Sequence, residues 1–204
     1  MDYQLLKRPK KLSLYKALKI GYLRNERKQK KRLKKFGYII DPTLTNNEHL
    51  VAYNPVSKKV IFVSNGSSVT PLKQPVQFVK DWVGTNIAGT ALNRIKETPR
   101  YYADNQSYLA AKEKYKNARF VLAGHSLGGG TVARIAKPED TAITLNAALI
   151  NQKPRPNVTN YRVEGDAVSA FANDEKTLKD IHPYNPNPFH SHSVEEIKRQ
   201  PIFI

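Results

Sequence analysis

Apolar positions recur along this chain with two different periods, and the changes between them mark out its elements. Between Met1 and Lys35, the residues Leu14, Tyr15, Leu18, Tyr22 and Leu23 fall at helical spacing among basic clusters. That pattern predicts a helix with a narrow apolar stripe and a wide cationic face. After a turn at 42–47, residues 50–53 and 59–64 are short β-prone runs joined by Asn54-Pro55-Val56-Ser57, the signature of a hairpin. Residues 76–92 and 103–116 read as helices separated by a break around Pro99 and the Tyr101-Tyr102 pair. The run Phe120-Val121-Leu122-Ala123 has no alternation and predicts a strand buried on both faces, with a helix over 131–136. Two further strands are predicted at 141–146 and 160–164, the second ending at Gly165-Asp166. Residues 182–192 form a loop rich in Pro and Asn, and 194–198 a short helix. Strands alternating with helices predict an α/β fold: a mostly parallel central sheet, helices on both faces, and a basic helical extension at the N-terminus.

Composition narrows the possibilities. At 204 residues the chain has the length of one α/β domain, here 46–204, preceded by the extension 1–45. The absence of cysteine excludes disulfides, thiolate nucleophiles and thiolate metal sites. No apolar run approaches the roughly 18 residues of a membrane span, and no stretch resembles a secretory signal. The compartment is left open by this, a cytoplasmic location being one expectation. The net charge is +17, of which residues 1–45 supply +11. Three readings of residues 1–35 follow: an anionic membrane surface as partner, a nucleic acid as a weaker electrostatic alternative, or a basic helix docked on its own domain with solvated lysines.

The stretch with the most chemistry is Gly124-His125-Ser126-Leu127-Gly128, placed between the predicted buried strand and its helix. Strand, Gly-x-Ser-x-Gly and helix in that order are what a nucleophile elbow requires, with the glycines allowing strand and helix to approach closely. Gly128-Gly129-Gly130-Thr131-Val132-Ala133 also fits a dinucleotide-binding pattern, but the next strand carries no acid to hold a ribose hydroxyl.

A serine nucleophile needs a base, and the base needs an acid to orient it, in the chain order Ser, acid, His. Asp166, following a predicted strand, is the best-placed acid; Glu164, Asp174 and Asp180 are alternatives. The base is one of His182, His190 and His192, because His49 precedes the elbow and His125 lies within it, where packing is its expected role. One oxyanion donor is the N–H of Leu127 at the helix start, and the other is expected from Asn65-Gly66-Ser67 after the second hairpin strand.

Together these residues resemble the class 3 lipases of the α/β-hydrolase superfamily. Gly124-His125-Ser126-Leu127-Gly128-Gly129 is similar to that family's elbow. Asn65-Gly66-Ser67 stands where the family has Arg-Gly-Thr, and Asp81-Trp82 where it has Asp-Trp. Tyr161-Arg162-Val163 with Asp166-Ala167-Val168 is similar to its acid segment, and His192-Ser193-Val194 to its histidine segment. The resemblance covers about residues 45–200 and selects His192 as the base. It implies hydrolysis of a carboxylic ester, of lipid or phospholipid, by Ser126, His192 and Asp166, with Leu127 and Ser67 at the oxyanion and no metal or organic cofactor. Leu44 with Tyr53-Asn54-Pro55 and the short chain also look like lipase-like proteins of large DNA viruses and their satellites, which would make the protein virion-associated. The chain departs from the family at Asn65, Asn86 and Asn146-Ala147-Ala148, which bears on substrate preference. The rival from another class is a non-catalytic protein on the same frame that binds a membrane, nucleic acid or capsid.

Overall fold

Seven strands pair in the order in which they occur in the chain, β1 to β7. They are β1 (Ile39–Ile40), β2 (His49–Asn54), β3 (Lys59–Ser64), β4 (Arg119–His125), β5 (Thr141–Leu145), β6 (Val158–Val163) and β7 (Leu178–Ile181). The structure is a computed structural model and describes residues 10–66, 98–148, 153–166, 168–169, 178–185 and 190–204. The predicted helix 76–92, Ser67, Asp81, Trp82, Asn86 and Asp174 lie outside these residues.

β1, β2 and β3 are antiparallel neighbours, and every pairing from β3 to β7 is parallel. Strands added in sequence through right-handed crossovers deliver their connecting helices to one face of the sheet. That face carries α3 (Pro99–Lys114) and α4 (Leu127–Ile135). Tyr108, Ala111, Val132, Ala133 and Ile135 pack there on Val51, Val60, Phe62, Phe120 and Leu122.

The opposite face presents Leu50, Ala52, Ile61, Val63, Ala123, Leu145 and Val163, and it needs a different cover. The N-terminal segment supplies it. α1 (Leu14–Gly21) and α2 (Glu26–Lys34) bury Leu14, Ala17, Leu18, Ile20 and Leu33 against these strands. Val194 and Ile197, from a single 3-10 turn (Val194–Ile197), complete this layer. Leu14 and Leu18 are fully buried, so the apolar stripe of the sequence is used inside the molecule. Burial of such a side chain stabilises by roughly 1.5–3 kcal/mol. The segment is also tied to the C-terminal residues, through Leu14 N–H to the Ile202 carbonyl at 2.9 Å and Lys19 to Glu195 at 2.6 Å.

Three expectations change. The N-terminal helix is two helices: Asn25 caps α2 by accepting from Lys28 N–H, and the Gln29 amide caps α1 by donating to the Ile20 and Leu23 carbonyls. Pro99 opens α3 and does not break it, because the first helical position has no hydrogen bond to lose and Thr98 caps it. β1 and β7 were not legible as strands. Among the described residues no helix is long and apolar enough to cross a membrane.

Candidate active site

β4 runs into the elbow as expected. Ser126 takes φ 57° and ψ −126°, a conformation that strains a residue with a Cβ, and α4 begins at Leu127. The turn is possible because of its glycines. A Cβ on Gly124 would lie 2.5 Å from the Gly128 carbonyl oxygen, and one on Gly128 would lie 2.2 Å from that of Asn65. The same contact seats the elbow against the end of β3. With Gly129 closed against Ala147 in the same way, the glycine run is packed rather than open to a phosphate.

β6 ends at Val163, and Asp166 follows in the loop beyond it. Its Oδ2 accepts from the Ser169 N–H at 2.8 Å and hydroxyl at 2.6 Å, and its Oδ1 meets His192 Nδ1 at 2.6 Å. Burial alone would raise the Asp166 pKa. The charge and hydrogen bond of His192 and the two bonds from Ser169 outweigh it, so the carboxyl is held below its ordinary value and is ionised. An ionised carboxylate only accepts. Whenever the imidazole holds a single proton, that proton is therefore on Nδ1, and Nε2 carries the lone pair a base needs.

Ser126 Oγ is buried and has no hydrogen-bond partner among the described residues. The structure thus brings Asp166 and His192 into contact, with Ser126 at the apex of the neighbouring turn and no hydrogen bond between Ser126 and His192. Leu127 stands at the first position of α4, as an oxyanion donor must. Of the alternatives, Glu164 pairs with His182, whose side chain is 91% exposed, and Asp180 pairs with Arg162 on the outer strands. His190 gives its carbonyl to Ser193 N–H.

Four residues to which the sequence reading gave no such place shape the site. Asn146, at φ 48°, directly follows β5 and is fully buried. It donates to the Ser191 carbonyl at 2.7 Å and accepts from Val163 N–H at 2.8 Å, joining the histidine loop to the end of β6. Asn tolerates a left-handed backbone, and an Asn at a strand end was the available signal. Arg100 donates to the carbonyls of Glu48, Asn65 and Gly66, fixing the chain that leads to Ser67. His125 is not mere packing: its Nδ1 meets the Tyr22 hydroxyl at 2.7 Å and its Nε2 the His192 carbonyl at 2.8 Å. Burial, then the charge of His192, push its pKa down to about 3, so it is neutral. Tyr22 also accepts from Gly66 N–H at 2.6 Å.

Beside Gly66 lies a polar cavity of about 150 Å³, lined by Tyr22, Arg24, Asn47, Glu48, Asn65 and Arg100. Among the described residues no group of three His, Asp or Glu side chains is placed to hold a metal ion. The chemistry this arrangement can support is proton transfer at His192 beside an elbow serine.

No protein-family model matches the chain, and no curated protein matches it. Solved structures do. The Lip2 lipase of Yarrowia lipolytica matches with a TM-score of 0.50 at 14% identity, over 76% of this chain and 70% of that one. A deletion variant of the Rhizomucor miehei lipase in a propeptide complex matches with a TM-score of 0.50 at 14% identity, over 76% of this chain and 58% of that one. At such identities the likeness is one of fold, and the fold is α/β-hydrolase-like.

Proposed function

We propose that this protein is a serine hydrolase that cleaves carboxylic esters of lipid or phospholipid class. The observation that carries the reading is the 2.6 Å contact between Asp166 and His192 beside a serine held in the strained elbow conformation. The resemblance of the fold to proteins named as lipases supports the choice of a lipid ester.

In this reading, His192 Nε2 removes the Ser126 hydroxyl proton as Oγ attacks the acyl carbonyl carbon. The tetrahedral oxyanion is held by the N–H groups of Leu127 and Ser67, the first reinforced by the start of α4. His192 returns the proton to the leaving alcohol as the C–O bond breaks, which leaves the acyl group on Ser126. Water, deprotonated by His192, then attacks that ester, and His192 returns the proton to Ser126 Oγ as the acyl C–Oγ bond breaks and the carboxylic acid departs. Asp166 stays ionised and holds the imidazolium. The bond from Ser126 to His192 forms when substrate settles the site, a tightening common to catalytic pairs.

As partner we propose an anionic lipid surface. α2 exposes Arg27, Lys28, Lys30, Lys31, Arg32 and Lys34, and its one acid, Glu26, is spent on Lys30. Each such cation near an anionic bilayer contributes about 1 kcal/mol. The fungal source of the solved neighbours lends no support to a viral origin, and none is proposed.

The test is steady-state hydrolysis of a short-chain soluble ester. Ser126→Ala and His192→Ala should each lose at least about a thousandfold in kcat, with His182→Ala and His190→Ala near wild type. A dead His190→Ala beside an active His192→Ala would move the base by two residues. The burial of Ser126 favours one other reading, a scaffold without catalysis that binds through its basic face; wild-type protein inert to every ester would select it.

A further inference from the structure

We propose that Tyr22, at the end of α1, is a positioning residue for this site: one hydroxyl sets the main chain beside the nucleophile and, through His125, the main chain of the catalytic histidine. The proposal rests on the serine-hydrolase reading above.

The direction of every hydrogen bond in this chain of groups follows from chemistry. The His192 carbonyl can only accept, so His125 Nε2 donates to it across 2.8 Å. Buried and neutral, His125 then has an unprotonated Nδ1, which accepts the Tyr22 O–H across 2.7 Å. The Tyr22 oxygen accepts the Gly66 N–H across 2.6 Å. Every donor has one acceptor, and no proton can be moved without breaking a bond.

The geometry also gives Tyr22 leverage on the reacting groups. A Cβ built on Gly66 would lie 2.6 Å from the Tyr22 hydroxyl, 3.0 Å from Ser126 Cβ and 3.3 Å from His125 Nδ1. Gly66 is therefore wedged between the nucleophile and the Tyr22–His125 pair. Its N–H is held by Tyr22 and its carbonyl by Arg100. Ser67, the proposed oxyanion donor, is the next residue in the chain. The N-terminal segment thus supports two parts of the proposed machinery from outside it.

Tyr22→Phe removes one oxygen and leaves the ring, which stands edge-on to His125 at 5.9 Å. The expected result on a short-chain soluble ester is a fall in kcat of roughly ten- to a hundredfold with KM changed less than about twofold, because the reacting groups lose alignment while the substrate keeps its contacts. Tyr15→Phe is the control: it removes a hydroxyl from the same helix, bonded to Glu195 at 2.8 Å on the surface, and should leave kcat unchanged. A Tyr22→Phe kcat within twofold of wild type, or equal losses in both variants, would overturn the proposal. Imidazole nitrogen NMR reads the network without any turnover. It should show His125 as the Nε2–H tautomer, with its Nδ1 resonance moving toward a non-bonded value in Tyr22→Phe; an Nδ1–H tautomer would overturn it. Wild-type protein inert to esters, with that NMR signature present, would instead sink the hydrolase reading and leave Tyr22 as a fold tether.

Discussion

A histidine buried with both ring nitrogens bonded cannot gain a proton without losing a bond, and this makes His125 a source of acid sensitivity. Its pKa falls from the ordinary value near 6.5 to about 3 on folding. Between those values the unfolded chain binds the extra proton and the folded one does not, so stability rises with pH across this window and is constant above it. Going from pH 7.5 to 5.5 should cost roughly 1 kcal/mol from this residue alone, measured by urea denaturation. His125→Gln should show a smaller pH-dependent loss, and an equal loss would remove His125 as the cause. Asp166 acts in a lower window with the same sense of shift. Its depressed pKa stabilises the fold above the ordinary carboxylate range, and that contribution is lost as pH falls through the folded value. At this scale the sequence was legible where residue types follow a fixed chain order, as with the elbow conformation at Ser126 and the contact between Asp166 and His192. It was not legible for Tyr22, Asn146 and Arg100, whose roles depend on partners 44, 45 and 34–52 positions away.

Elements set where those residues stand, and here close approach is the controlling quantity. Gly128 meets the backbone of β3's last residue and the one after it, so Gly128→Ala has no flexible side chain to displace. The expected cost is about 3 kcal/mol, the upper end for overpacking, with loss of the elbow geometry. Gly165, at φ 81° with open space around it, should cost only about 1 kcal/mol as Gly165→Ala. Urea midpoints of the two variants test this ranking, and a Gly128→Ala protein as stable as Gly165→Ala would refute it. The elbow strand and the hairpin were readable because period and turn chemistry agree there. β7 was not, because an outer strand with the sequence Leu-Lys-Asp-Ile is buried mainly at one end and shows no apolar alternation. Pro99 misled because a proline marks either a break or a start, and the Thr before it decides.

For the whole molecule, among the described residues one sheet face carries α3 and α4, and α1 and α2 cover the other with their apolar stripe while their cations face solvent. Structure and charge in residues 1–35 are therefore separable by substitution but not by truncation. Deleting residues 1–35 should give insoluble or unfolded protein, since several fully buried side chains go with them. Lys28→Glu, Lys31→Glu and Lys34→Glu together should keep soluble-ester activity and lower association with anionic liposomes at least about tenfold. Unchanged liposome association, or a loss seen only with a nucleic-acid competitor, would contradict the lipid-surface reading. Whether Ser126 is an activated nucleophile served by His192 is read by treating the folded protein with a fluorophosphonate and locating the adduct by mass spectrometry. One stoichiometric adduct on Ser126 is expected, abolished in Ser126→Ala and slowed by orders of magnitude in His192→Ala. No adduct on folded wild type, or labelling of Ser126 that is indifferent to His192, would contradict it.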